Sequence, residues 1–138
     1  MPAYRIETER QLLRCWRPQD APRLRAALDN SDAHLRPQIP FMSDEPRSLD
    51  DTARWLRRHR AAFDSDGHYR YAVFDRAETE LRGEVMLLDR HDNGERELGY
   101  WVEKEHVGHG YATEAGAALA RINFELLAQD RLDPVSYT

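Results

Sequence analysis

The chain has 138 residues, 41% apolar and 33% charged, with a formal net charge of −5. This length and mix suit one soluble domain, residues 1–138, with a real core. The acidic balance argues against a nucleic-acid partner and mildly favours cationic substrates such as amines, and the lack of any long apolar window argues against a membrane partner.

The N-terminus, "MPAYRIETERQLLR", has no apolar signal core, so secretion is not expected. "QLLRCW" (11–16) reads as a first strand. Its Cys15 is the single cysteine, which excludes an internal disulfide and fits a reducing, cytoplasmic setting. It reads as a small buried apolar residue, because no neighbour in sequence would lower its pKa. In "RPQDAPRLRAALDNS", Asp20 is the expected N-cap of a helix with Pro22 in its first turn, and Leu24, Ala27 and Leu28 form an apolar stripe. "HLRPQIPFMSDEP" has three prolines and no period. It reads as a long loop, of a kind that is often functional or carries a short helical turn.

Ser48 is placed to cap a second helix, "LDDTARWLRRHRAAF", with Asp51 three residues on. Trp55, Leu56, His59, Ala62 and Phe63 share one face of it. His59 is expected there as a hydrogen-bonded, semi-buried histidine. The arginines of "ARWLRRHR" read first as a solvated face, with a nucleic-acid patch as the alternative.

The apolar period then changes from 3.6 to 2. "HYRYAVF" (68–74) alternates Tyr69, Tyr71 and Val73, and "RGEVMLLD" (82–89) turns Val85 and Leu87 inward. Asn93-Gly94 in "RHDNGER" is a strong hairpin signal, and "ELGYWVE" (97–103) is the returning strand. Tyr100 and Trp101 read as sheet-packing aromatics. A helix from about 110 to 127 follows, with Ala112, Ala115, Leu119, Ile122 and Leu126 as its apolar seam. The ending, "LLAQDRLDPVSYT", reads as part of one more strand at roughly 131–138, made irregular by Asp133-Pro134.

Gly108 and Gly110 stand where the last strand meets that helix. Glycine there permits positive φ and clears side chains from a ligand's path. The first helical turn leaves backbone N–H groups without internal partners, beside the positive end of the macrodipole. The pair makes either a tight strand-to-helix turn or a phosphate cradle built from backbone. No Lys-Ser/Thr follows, so it is not a Walker loop, and the third glycine of a dinucleotide fingerprint is missing.

"ELGYWVEKEHVGHGYATEAGAAL" closely resembles the acetyl-CoA motif of the GNAT N-acetyltransferases, in the branch of the ribosomal-protein N-terminal acetyltransferases. The resemblance covers roughly residues 10–128. It implies an α/β (α+β) fold, a mixed, mostly antiparallel sheet flanked by helices, shortened at its C-terminal end. It implies acetyl-CoA as co-substrate, no metal, and direct acyl transfer from thioester to a primary amine, on a protein N-terminus or a small molecule. The pantetheine arm would lie against strand 97–103, with Val102 and Glu103 at its end. Val107, Gly108, His109, Gly110, Tyr111 and Ala112 would hold the pyrophosphate. Glu97 matches the position of a general-base carboxylate. Partial burial beside aromatic rings would suit it to that role, and an ordinary strand-edge carboxylate is the other reading.

The chain departs from the family pattern in three ways at the loop. Glu105 stands where Gln or Arg is usual, Val107 where Arg is frequent, and His109 where Arg or Lys is frequent. Cationic help for the pyrophosphate is reduced, and a protonated His109 would restore part of it. His106 and His109 lack the companions of a metal pair. Tyr137 does not match the family's general acid. A shortened end would expose a sheet edge, which invites a homodimer. The readings carried forward are an N-acetyltransferase, a catalytically weak coenzyme-A-binding module, and an interaction scaffold.

Overall fold

The period-2 segments of the second half of the chain become three adjacent strands. The computed structural model describes residues 3–89 and 96–132. Strands β1 (Arg5–Glu7), β2 (Gln11–Cys15), β3 (Tyr69–Asp75), β4 (Leu81–Asp89) and β5 (Arg96–Val102) form one sheet in that order. Every pairing among them is antiparallel. The short β1 was not expected from sequence; three residues are too few to show a period. The Asn93-Gly94 turn lies outside the described residues, but Asp89 pairs with Arg96 on either side of it.

Three helices flank the sheet: α1 (Ala21–Leu35), α2 (Leu49–Asp64) and α3 (Tyr111–Leu132). Ser48 caps α2 as expected, its hydroxyl accepting from the Asp51 N–H at 3.1 Å. Asp20 precedes α1 but does not cap it through its side chain. Its carboxylate turns back instead, accepting two bonds from Arg14 at 2.8 and 2.7 Å and one from the Arg17 N–H at 2.8 Å. A buried guanidinium outcompetes the helix end for the same acid, because its desolvation has to be offset. The loop after α1 carries a short 3-10 helix, Pro40–Asp44. Arg131 and Leu132, expected in a further strand, belong to α3, and 133–138 lie outside the described residues.

Strand register sorts the side chains into two cores. Leu13, Cys15, Tyr69, Tyr71, Val73, Val85 and Leu87 pack with Ala115 and Leu119 of α3, and with Phe63 from the end of α2. Burial pushes the Cys15 thiol up to about 11, so it serves as an apolar side chain. On the opposite face, Leu12, Trp16, Ala72, Phe74, Met86 and Trp101 pack with Leu24 and Leu28 of α1 and with Trp55 and Leu56 of α2. No described helix is long and apolar enough to cross a membrane.

Candidate functional site

Antiparallel pairing brings the starts of β2 and β4 and the end of β5 to one end of the sheet. The glycine loop leaves from that end. After Val102 comes a short 3-10 helix, Lys104–His106, and then Gly108 at φ 82° and Gly110 at φ 76°, both in the left-handed region where glycine carries no Cβ penalty. Tyr111 opens α3. The Glu114 N–H donates to the Gly110 carbonyl at 3.0 Å, the first internal bond of the helix. Among the described residues, the amides of Gly108, His109, Gly110, Tyr111, Ala112 and Thr113 have no protein acceptor. The sequence-predicted residues 108–112 thus form a run of free donors at a helix N-terminus.

The turn between β1 and β2 clamps this loop from the side. Arg10 donates from Nη1 to the His109 carbonyl at 2.9 Å and from Nε to Glu114 at 2.7 Å. Thr8 donates its hydroxyl to the same carboxylate at 2.5 Å, and Gln11 donates to the Tyr111 carbonyl at 3.0 Å. Burial works against the Glu114 carboxylate, but these donors outweigh it and hold its pKa below the usual range. The guanidinium of Arg82 lies over the Tyr111 ring at 3.9 Å, and that of Arg10 lies 4.8 Å from the same ring. Arg10 and Arg82 gave no signal in sequence, because a hundred residues separate Arg10 from the loop it touches and neither falls in the loop's motif.

Glu103 has a different place from its neighbour Val102. Its buried carboxylate accepts from Asn30 at 2.6 Å, from Ser31 at 3.3 Å and from the Glu105 N–H at 3.0 Å. Its own N–H donates to the Arg82 carbonyl at 2.8 Å, and its carbonyl accepts from the His106 N–H at 2.9 Å. Both backbone groups and the side chain are therefore spent on holding α1, β4 and the loop together. Val107 sits on the approach to the first glycine and is 44% exposed.

Among the described strands β5 is an edge. Alternate residues of it turn their N–H and C=O groups away from β4. Trp101 packs in the core as expected, but Tyr100 is 56% exposed, because its neighbours on that side are the small residues at the start of α3. The pairings Leu88↔Glu97, Met86↔Gly99 and Glu84↔Trp101 set Glu97 on the α1/α2 face. Glu97 is exposed there, so it lacks the partly buried setting that would mark it out. Two pairs along, Glu84 is 1% exposed and accepts from Trp16 Nε1 at 2.7 Å, Trp101 Nε1 at 2.9 Å and Arg70 Nη1 at 3.1 Å.

Beside that carboxylate, Trp55 is flanked by the His59 ring at 4.2 Å and by the guanidinium groups of Arg70 and Arg47 at 5.2 and 5.6 Å. Burial, followed by the charge of Arg70, pushes His59 down to about 3. His59 is semi-buried as expected, but its Nδ1 has no hydrogen-bond partner. Among the described residues no cluster of metal-ligating side chains occurs.

This geometry can be set against known proteins. A family model described as acetyltransferase (GNAT) domain matches residues 10–135. Among solved structures, the apo form of RimL, a ribosomal L7/L12 α-N-protein acetyltransferase, superposes with a TM-score of 0.74 at 19% identity, covering 88% of this chain and 65% of that one. The chain thus spans under two thirds of RimL's length. RimL in complex with coenzyme A superposes with a TM-score of 0.70 at 17% identity, covering 80% and 62%. A candidate ribosomal-protein-serine acetyltransferase from Vibrio cholerae reaches 0.75 at 26% identity, covering 93% and 71%. No curated protein matches the chain in sequence.

Proposed function

The chain belongs to the GNAT acetyltransferase family, and on that premise we propose that it moves an acetyl group from acetyl-CoA to a primary amine. The observation that carries this reading is the row of unpartnered amides from Gly108 to Thr113 beside the open edge of β5. A diphosphate would suit that row, since these amides are free to donate and the helix dipole adds positive potential. The pantetheine arm then runs up the β5 edge as an added strand, past Val102, with its amides pairing to the backbone groups turned away from β4. Glu103 takes no part in that pairing and serves as a strut. Coenzyme A bound to the similar RimL is consistent with the class of ligand.

The thioester would arrive near the middle of β5, where Glu97 and Gly99 face the side of α1 and α2. There the amine nitrogen attacks the acetyl carbonyl carbon, the carbon–sulfur bond breaks, and the coenzyme leaves as a thiolate. An exposed Glu97 would accept the ammonium proton through water. Residues 34–47 and α2 border the acceptor side, and a protein N-terminus or a small amine is the proposed acceptor. The reading takes a cytoplasmic homodimer as the assembly, which sedimentation tests.

The test has two stages. Acetyl-CoA or coenzyme A is expected to raise the melting temperature, because it binds only the folded chain. A panel of amines and peptide N-termini is then expected to show turnover. Glu97→Gln should lower kcat about a hundredfold and leave coenzyme affinity within twofold. Absence of any stabilisation by either coenzyme form would overturn the reading. The exposure of Glu97 favours a second reading, a coenzyme-binding module with little catalysis. Stabilisation without turnover on any amine would select it.

A further inference from the structure

The loop that is proposed to hold a diphosphate is poor in cations. Glu105, Val107 and His109 stand at the three positions where positive or amide side chains would help, and Glu103 and Glu114 add two more acids within the same corner. Backbone amides alone would have to balance at least two negative charges. The cation comes from elsewhere in the fold.

Arg82 is the first candidate on geometric grounds. Its carbonyl accepts the Glu103 N–H at 2.8 Å, which ties its backbone to the start of the loop. Its side chain folds over the ring of Tyr111, 3.9 Å from the centroid, which sets its charge at the end of the loop. The next residue makes this possible. A Cβ on Gly83 would lie 2.1 Å from the Trp101 carbonyl oxygen, so only glycine lets the end of β5 come this close to β4. Arg82 donates from Nη1 to the Arg10 carbonyl at 3.1 Å, and its Nη2 has no acceptor among the described residues. It forms no ion pair among them either, the one acid among them that feels its charge being Asp75. Arg10 lies 4.8 Å from the centre of the same ring, but Glu114 at 2.7 Å takes up much of its charge. Lys104 is exposed on the preceding 3-10 helix, with no such anchor to the ring.

We propose that Arg82, seated by Tyr111 and seconded by Arg10, supplies the positive charge that faces the diphosphate of the coenzyme in place of a cation within the loop. The aromatic ring fixes the guanidinium without neutralising it, so the charge stays available to a ligand. This rests on the coenzyme reading above, and the experiment separates the two.

Three ligands are titrated by calorimetry: coenzyme A, dephospho-coenzyme A, which keeps only the diphosphate, and pantetheine, which has no phosphate. The proteins are wild type, Arg82→Met, Arg82→Lys and Arg10→Gln, each checked for folding by its melting temperature. Arg82→Met is expected to weaken coenzyme A and dephospho-coenzyme A equally, by about tenfold, and to leave pantetheine within twofold. Arg82→Lys should recover at least half of the loss on a logarithmic scale, and Arg10→Gln should lose about threefold. Loss of all three ligands by one factor would mean that Arg82 only shapes the loop, which overturns the proposal. Loss for coenzyme A but not for dephospho-coenzyme A would overturn the assignment to the diphosphate. If Arg82→Met does not fold, the lysine variant and the wild-type salt dependence decide. A salt slope no steeper for dephospho-coenzyme A than for pantetheine would refute it. Failure of wild type to bind any of the three ligands sinks the coenzyme reading itself.

Discussion

Under α3 the sheet meets side chains whose bodies are apolar: Leu13, Cys15, Val73, Val85 and Leu87 against Ala115 and Leu119. The two tyrosines there send their hydroxyls outward, Tyr69 to Asp66 at 2.6 Å and Tyr71 to the Ala3 carbonyl at 2.5 Å. Under α1 and α2 the same sheet meets charge. Arg14 is 5% exposed between Asp20 and Glu78, Arg25 joins Glu45 at 2.5 Å and Thr52 at 2.9 Å, and Glu84 gathers two indoles and Arg70. The first face needs only volume and pattern, and tolerates repacking. The second needs each partner in place, because a buried charge left alone costs far more than a lost contact. The proposed acceptor lies on the second face, where fixed dipoles and charges are worth most. The proposed coenzyme corner draws on neither core, only on backbone and on two arginines at the rim.

Removing the centre of the charged face should have the largest effect. Glu84→Ala leaves Arg70 and two buried indole N–H groups without an acceptor, and is expected to cost about 3–5 kcal/mol in urea unfolding. Glu84→Gln, which keeps an acceptor oxygen, should cost clearly less. A loss below about 1 kcal/mol for the alanine variant would show that the hub is not energetically distinct from its surroundings. On the apolar face, Leu119→Ala is expected to cost about 2–4 kcal/mol, the same at low and high salt. Salt dependence there would break the distinction between the faces.

A smaller effect should appear in acid. His59 is held near 3 in the fold by burial, with Arg70, His68, Arg58 and Arg47 facing it, against about 6.5 in an unfolded chain. Below pH 6.5 the unfolded state binds the extra proton, so stability falls as pH falls from 6.5 toward 3. Between pH 6.5 and 5.5 the expected loss is about 1 kcal/mol. His59→Phe, which keeps the ring against Trp55, should flatten that slope. An unchanged slope would mean that another group carries the acid sensitivity of this face.

The contrast also decides what could be read without coordinates. Period-2 alternation over 68–74 and 82–89 and the 3.6-period seam of α3 were legible, because burial on one face imposes a spacing that survives in the sequence. The glycine pair was legible for the same local reason: positive φ at 108 and 110 has to be met by residue type. Asp20 holds the N-cap position that was read for it, but not its bond, because the choice of its carboxylate between the helix end and Arg14 depends on a guanidinium that burial strips of water. Tyr100 was misread as packed, because an alternating pattern does not say how large the residues opposite are.

What the sequence by itself determined is what near neighbours settle among themselves: the order of the three helices and of strands β2 to β5, the cap at Ser48, the turn at the two glycines and the family to which the motif belongs. What only the tertiary structure decided is which distant charges meet. Arg10 and Arg82 reach the glycine loop and the Tyr111 ring beside it, and Trp16 reaches Glu84, across separations that no spacing rule covers. The physical reason is that a local conformation is chosen by bonded sterics. A buried ion pair is chosen by the whole fold, once water has been removed from around it.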